Sequence, residues 1–512
     1  MMKEDKRLMY LLLLGSFFIS CSSGRIITAK QVSFSENIVV AHRGAWKKNN
    51  LPENSIASLK EAIRLKCTGS EFDVRMTVDD SLIVNHDPHY NKLLIEQKTY
   101  AELEKFKLAN GEKLPTLREY ILAGTENNTA TQLVCEIKPS ATKERGKIIA
   151  EKTYQLINEL NVQHMVGYIS FDYDILKKLV ELNPRLSTQY LEGNKSPEQV
   201  KADGITGVDY HFNYFKSHPE WITSAKQNNV TLNVWTVNSA EDMDWLIANE
   251  FDFITTNEPE LLFERIKKHP TAAGWKLKWS EEFNYKGLPD STIWNYAEGG
   301  NGYGNGELQY YTKADTNNAI VKNGKLFITA LKETRDKNKY TSARLFSKGK
   351  AEFKYGRIEI SAKLPAGRGT WPAIWMLGSN HPAVNWPECG EIDIMEHVGY
   401  ERDSIYGTIH SKSYNHLIGT QKTKAIYLGN PYKAFNTYSI EWTPEKIDFL
   451  VNDVVYNRIT NEHLSAAEWP FDQPFYLILN LAIGGSWGGQ KGIDENIFPV
   501  TMEVDYVRVF EK

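Results

Sequence analysis

Three acidic residues that lie close together in the sequence have the spacing of a hydrolytic site. Glu391, Asp393 and Glu396 fall within the apolar run Glu-Ile-Asp-Ile-Met-Glu, which predicts a strand. In a regular strand residue 396 would point away from the other two, so we expect a β-bulge near Ile394–Met395 that returns it to their face. Two carboxyl groups about 5 Å apart let a retaining glycosidase use one as nucleophile and one as acid/base. Three clustered carboxylates also repel one another, so at least one pKa should be raised.

A second group of residues could bind a metal ion and transfer protons. Glu71 and Asp73 are two residues apart on a predicted strand and therefore share a face, and Glu136 lies on the next predicted parallel strand. Three carboxylates, together with phosphate oxygens, would form an all-oxygen site for a hard cation, Ca²⁺ or Mg²⁺. The remaining candidates are two histidines suited to general acid and base catalysis and two cations suited to holding an anionic oxygen, namely His42, His86, Arg43 and Lys138.

The second group lies in a stretch, residues 38–268, where predicted strands alternate with helical patterns. Eight such β/α units are typical of a TIM barrel, whose chemistry takes place at the carboxyl ends of its strands. Ser81–His86 is an additional predicted strand in a hairpin, because only a short turn separates it from the second strand. Ser55–Lys66 is a predicted helix with Asn54 as its candidate N-cap. The eight barrel strands are predicted at Val39–His42, Glu71–Val74, Leu133–Ile137, Gly167–Phe171, Leu186–Leu191, Gly207–His211, Leu232–Val237 and Phe253–Thr256.

The first group, Glu391, Asp393 and Glu396, lies in a stretch whose sequence pattern differs from the β/α alternation of residues 38–268. Residues 269–274 read as a short linker, and residues 275–512 contain many short alternating strands between Gly, Asn and Pro turns. This pattern predicts an antiparallel β-sandwich of the jelly-roll type. The fold class is therefore multidomain, an α/β TIM barrel followed by an all-β sandwich. Predicted sandwich strands include Lys325–Ala330, Gly356–Leu364, Ile405–His410, Tyr438–Thr443, Ile447–Val451, Phe475–Ala482 and Met502–Phe510.

The N-terminus predicts export and a lipid anchor. Residues 1–20 have the basic start and short apolar core of a signal peptide, and Phe18-Ile19-Ser20-Cys21 resembles the lipobox of bacterial lipoproteins. Lipidation of Cys21, followed by a tether over residues 21–37, would attach the chain to the outer membrane in the cell envelope. The alternative is a plain secretory signal with an incidental cysteine.

The amino-acid composition limits the functions that this chain could have. A net charge of -4 and a pI of about 6.4 give no basic excess, so we expect no nucleic-acid partner. Thirteen Trp and 26 Tyr fit either aromatic β cores or platforms on which sugar rings stack. Cys67, Cys135 and Cys389 lie in apolar runs and are expected as buried thiols.

The barrel stretch resembles the glycerophosphodiester phosphodiesterase family. The resemblance rests on seven motifs in order: His42-Arg43-Gly44, Pro52-Glu53-Asn54-Ser55, Glu71-Phe72-Asp73-Val74, His86-Asp87-Pro88, Glu136-Ile137-Lys138, Trp235-Thr236-Val237-Asn238 and Ile254-Thr255-Thr256-Asn257. It implies a divalent metal held by Glu71, Asp73 and Glu136, with His42 and His86 as the acid/base pair. The implied substrate is a glycerophosphodiester, contacted by Arg43, Lys138 and Trp235.

The sandwich stretch resembles glycoside hydrolase family 16, and within it the laminarinase-like endo-β-1,3-glucanases. The motifs are Glu-Ile-Asp-Ile-Met-Glu at 391–396, Trp279-Ser280-Glu281-Glu282-Phe283, Asn305-Gly306-Glu307-Leu308-Gln309-Tyr310-Tyr311, Trp371-Pro372-Ala373-Ile374-Trp375, Gly407-Thr408-Ile409-His410 and Asn480-Leu481-Ala482-Ile483-Gly484-Gly485. The resemblance implies Glu391 as nucleophile, Glu396 as acid/base and Asp393 as the residue that holds the nucleophile's protonation state. Further implied roles are sugar contacts by Trp371, Trp375 and His410, and a structural calcium with Glu282 and Asp505 as possible ligands.

Three functions remain open from the sequence. The preferred one is a bifunctional secreted hydrolase that cuts a β-glucan at one site and a phosphodiester at the other. The second is a surface glycan-binding lipoprotein in which one or both sites are inactive. The third is a phosphodiesterase whose sandwich only docks it to glycan.

Overall fold

The structure is a computed structural model that describes residues 34–512. The predicted signal peptide, the lipidation site Cys21 and most of the tether lie outside the described residues. Within the described part of the chain, no helix combines the length and apolarity that crossing a bilayer requires.

The first half of the described chain is a closed barrel of eight parallel strands. Each strand pairs with the next, and the barrel closes because Val39–Ala41 pairs both with the last strand and with Gly69–Met76. The predicted TIM barrel is confirmed, and each observed strand overlaps a predicted one. The strands are Val39–Ala41, Gly69–Met76, Gln132–Ile137, Val166–Ser170, Thr188–Tyr190, Gly207–His211, Thr231–Trp235 and Phe253–Thr256.

Helices cover the outside of the barrel with their apolar stripes. The first begins one residue later than predicted, and its N-cap is Ser55, whose hydroxyl accepts from the amide of Ser58. Asn54, the predicted cap, has a positive φ of 59° and turns its side chain toward the strand ends. The helices are Ile56–Arg64, Tyr100–Leu103, Leu117–Thr125, Lys143–Glu159, Tyr173–Leu182, Pro197–Ala202, Phe212–Ser217, Glu220–Gln227, Ala240–Ala248 and Pro259–Lys268, with 3₁₀ turns at Ile95–Gln97, Gln163–Met165 and Pro270–Ala273.

An excursion after the second barrel strand carries its own small core. Leu82–Val84 pairs antiparallel with Gly69–Met76, as the predicted hairpin requires. Short strands at His89–Tyr90 and Leu93–Leu94 follow. The excursion is stabilised by a separate apolar cluster of Ile83, Tyr90, Ile95, Leu103 and Leu114.

The second half is a sandwich of two antiparallel sheets around one apolar core, and the predicted β-sandwich is confirmed. One sheet runs in the order Ala319–Lys322, Lys325–Ala330, Val500–Glu511, Gly356–Lys363, Asn436–Trp442, Lys446–Val451 and Val454–Thr460, with Lys276–Glu281 beside Val500–Glu511. The other sheet runs in the order Asn295–Tyr296, Arg344–Phe346, Phe475–Ile483, Thr370–Gly378, Glu391–Glu396, Ser404–His410 and Lys422–Tyr427, with Glu352–Phe353 beside Phe475–Ile483. Gln309–Tyr311 and Tyr340–Ser342 form a small separate pair.

The junction between the halves is short and packed. The predicted linker contains the 3₁₀ turn Pro270–Ala273, and Trp275 directly after it is buried against Ala248 and Phe510. Lys325 of the sandwich lies 3.7 Å from Glu241 of the barrel.

Two candidate active sites

A bulge in one strand gathers the three acidic residues of the sandwich. Trp375 pairs with Asp393 and Ile374 with Met395, so Ile394 is the additional residue. On the other side, Asp393 pairs with Thr408 and Glu396 with Tyr406, which leaves two residues opposite one. The bulge predicted from the sequence is therefore present, and Glu391, Asp393 and Glu396 line the same cleft.

The cleft is long and open along the face of the sheet. Two contiguous cavities of about 440 Å³ and 460 Å³ share Glu391, Glu396, Trp371, Asn305 and His416. Because both glutamates line both cavities, they lie partway along the cleft and not at a closed end. A polymer could therefore extend past them in both directions.

Burial and mutual repulsion dominate the electrostatics of this cleft. Burial, followed by the charge of Asp393, raises the pKa of Glu391 well above its ordinary value. Burial and the charge of Glu396 raise the pKa of Asp393 in the same way. Burial also raises the pKa of Glu396, against the opposing effects of His410 and of the indole N–H that Trp371 donates at 3.1 Å. The expectation of a raised pKa is thus met by all three groups.

His410 and Trp375, predicted to contact sugar, both line the cleft. His410 Nε2 is 3.7 Å from Glu391 Oε1 and 3.4 Å from Asp393 Oδ2. Trp375 lines the cleft and donates its indole N–H to Asn480 at 2.7 Å.

At the barrel mouth, the strand ends bring the second group together. Oxygens of Glu71, Asp73 and Glu136 all lie within 4.8 Å of one another, and all three residues are buried. Lys138 Nζ is 2.9 Å from Asp73 Oδ1 and 2.8 Å from Glu136 Oε1. Arg43 donates to Glu53 at 2.6 Å, and its backbone N–H donates to Glu71 at 2.8 Å.

The three carboxyl groups at the barrel mouth differ strongly in pKa. Burial and the charge of Asp73 raise the pKa of Glu71 well above normal, and the same two causes raise the pKa of Glu136 to about 7. Although burial favours protonation of Asp73, the cations Lys138 and His86 hold its pKa at about 2.

Each histidine of the barrel site is oriented by a neighbour. His42 Nδ1 lies 2.7 Å from Asn257 Oδ1, which makes this nitrogen the donor and leaves Nε2, 4.0 Å from Glu71, as the other functional atom. His86 Nδ1 lies 2.8 Å from Asp87. Burial, followed by the charge of Arg43, lowers the pKa of His42 to about 4, and burial lowers the pKa of His86.

Comparisons with known proteins match the two halves separately. Residues 306–508 match the model of glycosyl hydrolases family 16, and residues 42–261 match that of the glycerophosphoryl diester phosphodiesterase family. Residues 210–383 also match a model described as beta-glucan synthesis-associated protein SKN1/KRE6/Sbg1.

Curated relatives divide in the same way. A beta-glucanase of Rhodothermus marinus is 53% identical over 246 residues, covering 47% of this chain and 86% of the relative. A glycerophosphodiester phosphodiesterase of Caldanaerobacter subterraneus is 32% identical over 249 residues, covering 46% of this chain and 99% of the relative. The chain belongs to both families. A keratan-sulfate endo-1,4-beta-galactosidase of Sphingobacterium multivorum is 39% identical over 246 residues, covering 46% of this chain and 55% of the relative.

Several residues in or next to the cleft of the family 16 domain were given no individual role from the sequence. Arg344 lies over the ring of Trp375 at 4.7 Å and over that of Tyr303 at 5.2 Å. Glu307 accepts from Tyr311, which in turn accepts from Asn480. Glu307 and Tyr311 belong to one quoted motif and Asn480 to another, but Arg344 belongs to neither, and no local sequence pattern joins the three segments.

The phosphodiesterase domain also contains a positioning residue that sequence reasoning misassigned. The side chain of Asn54 donates to Asp73 Oδ2 at 2.7 Å and accepts from the backbone N–H of Asp73 at 3.1 Å. Trp235, predicted to contact substrate, donates its indole N–H to the carbonyl of Asp209 and lines a separate cavity of the barrel mouth.

The barrel carboxylates fit a divalent cation. Glu71 Oε1 is buried and has no hydrogen-bond partner among the described residues, so an available oxygen ligand is aimed into the cluster. The residues suggested for a structural calcium in the family 16 domain fit less well. Both oxygens of Glu282 accept from Arg508, and Asp505 faces Lys325 at 3.2 Å. As placed, these two carboxylates form ion pairs and not a calcium ligand set.

Proposed function

We propose that the chain is a bifunctional hydrolase. Its family 16 domain cleaves internal β-1,3 linkages of a glucan with retention, and its barrel hydrolyses a glycerophosphodiester with a divalent cation, Ca²⁺ or Mg²⁺. The observation that carries the glucanase half is the bulge, because it places Glu391 and Glu396 together partway along an open cleft. Support for the phosphodiesterase half comes from the cluster of Glu71, Asp73 and Glu136.

The two glutamates of the cleft divide the glucanase chemistry. Ionised Glu391 attacks the anomeric carbon while protonated Glu396 gives its proton to the glycosidic oxygen, so the bond to the leaving sugar breaks as the glycosyl–enzyme bond forms. Water then attacks the anomeric carbon while Glu396 takes its proton, so the bond to Glu391 breaks and the sugar leaves with its original anomeric configuration. Buried Asp393 and His410 lie beside Glu391 and set its charge state. Trp371 stabilises the ionised form of Glu396 that exists after the first step.

In the barrel, Glu71, Asp73 and Glu136 would hold the cation, which when bound polarises a phosphoryl oxygen and offsets its negative charge. His42 and His86 then move the protons, one to the departing alcohol oxygen and one from the attacking water. Asn257 and Asp87 fix the orientation of these rings through Nδ1.

The glucanase half is tested by incubating the chain without residues 1–21 with laminarin and following reducing ends. We expect release by the wild type, loss of at least about 10³-fold in Glu391→Gln, and normal release by Glu388→Gln, which changes an exposed glutamate three residues away. Binding of laminarin without turnover by the wild type would instead support the glycan-capture function.

The phosphodiesterase half is tested in parallel with glycerophosphocholine and either Mg²⁺ or Ca²⁺. His42→Ala should lose activity by about 10²-fold or more, whereas His89→Ala, an exposed histidine of the excursion, should keep it. Glu391→Gln should leave this activity unchanged. Absence of phosphodiesterase activity with every divalent cation would contradict this half of the proposal.

The envelope location is part of the same proposal. A labelled fatty acid should be incorporated into the full-length chain expressed in a bacterial host, and Cys21→Ser should abolish this incorporation. Incorporation that persists in Cys21→Ser would refute the assigned lipidation site.

A further inference from the structure

A basic pocket lies near the glucan cleft, and Tyr400 of its lining packs against the apolar cluster that contains Trp371. The pocket has a volume of about 610 Å³ and is lined by three cations, Arg368, Arg402 and Lys491, and two tyrosines, Tyr400 and Tyr432. None of these three cations takes part in an ion pair among the described residues, in contrast to Lys363 and Lys422 of the same sandwich. Their charges therefore remain available to a ligand.

The one acidic side chain of the pocket lining is already engaged. Asp494 Oδ1 accepts from the backbone N–H of Asn496 at 3.0 Å and from its side chain at 3.2 Å, within one turn. Arg402 is held in place by a hydrogen bond to the hydroxyl of Tyr432 at 3.1 Å. The pocket thus has a positive balance, which suits an anionic oxygen ester.

The pocket adjoins the catalytic strand, and one hydrogen bond joins its lining to that of the cleft. His397, which lines the pocket, follows Glu396 in sequence and is buried, with Nδ1 3.0 Å from the carbonyl of Ser404. Tyr400 donates to Gln490 at 3.1 Å, and Gln490 lines the cleft. Lys491 is the next residue. A group attached to a sugar near Trp371 could therefore reach the pocket while its glucan chain occupies the cleft.

We propose that this pocket binds an anionic ester, a phosphate or a sulfate, carried by the glucan in the cleft. This inference rests on the proposed glucanase function and specifies its substrate as a glucan with anionic substituents. A phosphate ester is the natural expectation, since the same chain carries a phosphodiesterase fold. Phosphate and sulfate esters both present a tetrahedral oxyanion, and the experiment below distinguishes between them.

The test uses the chain without residues 1–21, laminarin oligosaccharides that are unmodified, phosphorylated or sulfated, and the variant Arg368→Gln/Lys491→Gln. Both side chains are exposed, so the variant should fold. We expect kcat/KM of the variant to fall roughly five- to tenfold on the phosphorylated oligosaccharide at low salt and to remain unchanged on the unmodified one. A charge-matched control, Lys276→Gln/Lys286→Gln, removes two exposed lysines outside the pocket and should behave as the wild type.

The outcomes separate this inference from the proposed function. Equal kcat/KM of variant and wild type on all three oligosaccharides would overturn the proposed anion-binding role of the pocket. A loss of kcat/KM confined to the sulfated oligosaccharide would support that role, with sulfate as the ligand. If unmodified laminarin is not cut, binding of the same oligosaccharides is measured by calorimetry. Tighter binding of the phosphorylated form that the variant loses would then support the pocket while the glucanase function fails. No difference in binding overturns the pocket as well.

Discussion

Trp371 donates its indole N–H to Glu396 across two neighbouring strands, at 3.1 Å. Glu396 is therefore a half-buried acid whose ionised form has one dedicated donor. Burial raises the pKa of Glu396, and this hydrogen bond opposes the increase by stabilising the charged carboxylate. The relationship gives Trp371 a role in proton transfer in addition to any contact with sugar.

Replacing the donor while keeping an aromatic ring should change the pH dependence of the glucanase. In Trp371→Phe the ionised form of Glu396 loses its hydrogen bond, so the pKa of Glu396 increases further. Activity requires this residue protonated, so the alkaline limb of the pH profile should move to higher pH, and kcat should fall by about tenfold. Profiles of kcat and kcat/KM on laminarin measure both effects.

Trp375→Phe provides the matched control for that experiment. It removes another indole of the same cleft, but one whose N–H goes to the amide oxygen of Asn480 and not to a carboxylate. Its alkaline limb should coincide with that of the wild type even if KM changes. An equal shift in both variants would mean that cleft hydration, and not the hydrogen bond, sets the pKa of Glu396.

The nucleophile should reduce stability at neutral pH. The folded-state pKa of Glu391 is raised by burial and by Asp393, so the folded state retains a proton that the unfolded chain has already lost. Its stabilising contribution is complete below the unfolded-state pKa and disappears as pH rises through the folded-state pKa. Glu391→Gln should therefore increase the free energy of unfolding of the sandwich by about 1–3 kcal/mol at pH 8 and by little at pH 4.

Urea unfolding at the two pH values, followed by Trp fluorescence, measures this difference. Glu388→Gln is the control, because Glu388 is exposed and its removal relieves no burial. A variant Glu391→Gln that is less stable than the wild type at pH 8 would show that His410 compensates the buried charge fully.

The sequence predicted what depends on local periodicity and missed what depends on long-range contacts. The alternation of strand and helix patterns located the barrel strands, and the alternation of apolar and polar residues located the sandwich strands. The six-residue run at 391–396 was sufficient to predict the bulge, because Glu396 does not follow the two-residue period that Glu391 and Asp393 set. Asn54 was misassigned, since an Asn before a helix suits an N-cap equally well, and only its positive φ directs it to Asp73. Arg344 gave no sequence signal, and Asn480, although it begins a quoted motif, received no individual role, because the partners of both residues come from distant segments.

The phosphodiesterase domain should depend on Asn54 through metal affinity. Glycine tolerates the positive φ of this position, so Asn54→Gly should keep the backbone conformation while it removes both hydrogen bonds to Asp73. Residues that orient a metal ligand typically change affinity by about 10- to 100-fold, so the cation concentration for half-maximal activity should increase by that factor. Titration of Mg²⁺ and of Ca²⁺ against phosphodiesterase activity measures it.

Asn50→Gly is the control that distinguishes the loss of the hydrogen bonds to Asp73 from the added backbone flexibility of a glycine. Asn50 also has a positive φ, 51°, four residues earlier, but it is exposed. Its replacement should leave the metal titration unchanged. If the two variants shift the titration equally, loop flexibility and not the orientation of Asp73 controls the affinity.

The geometry of the bulge can be tested by two deletions of one isoleucine each. Without Ile394 the strand becomes Glu-Ile-Asp-Met-Glu, in which simple alternation already places all three acidic residues on the cleft face. Without Ile392, Glu391 and Asp393 become adjacent and must point to opposite faces. Both deletions remove a buried isoleucine and should therefore reduce stability. Laminarin assays at a temperature where both variants remain folded by circular dichroism should therefore find activity only in the chain that lacks Ile394. Equal loss in both would mean that the bulge itself, and not only the shared face, is needed to bring Glu391 and Glu396 to the working separation.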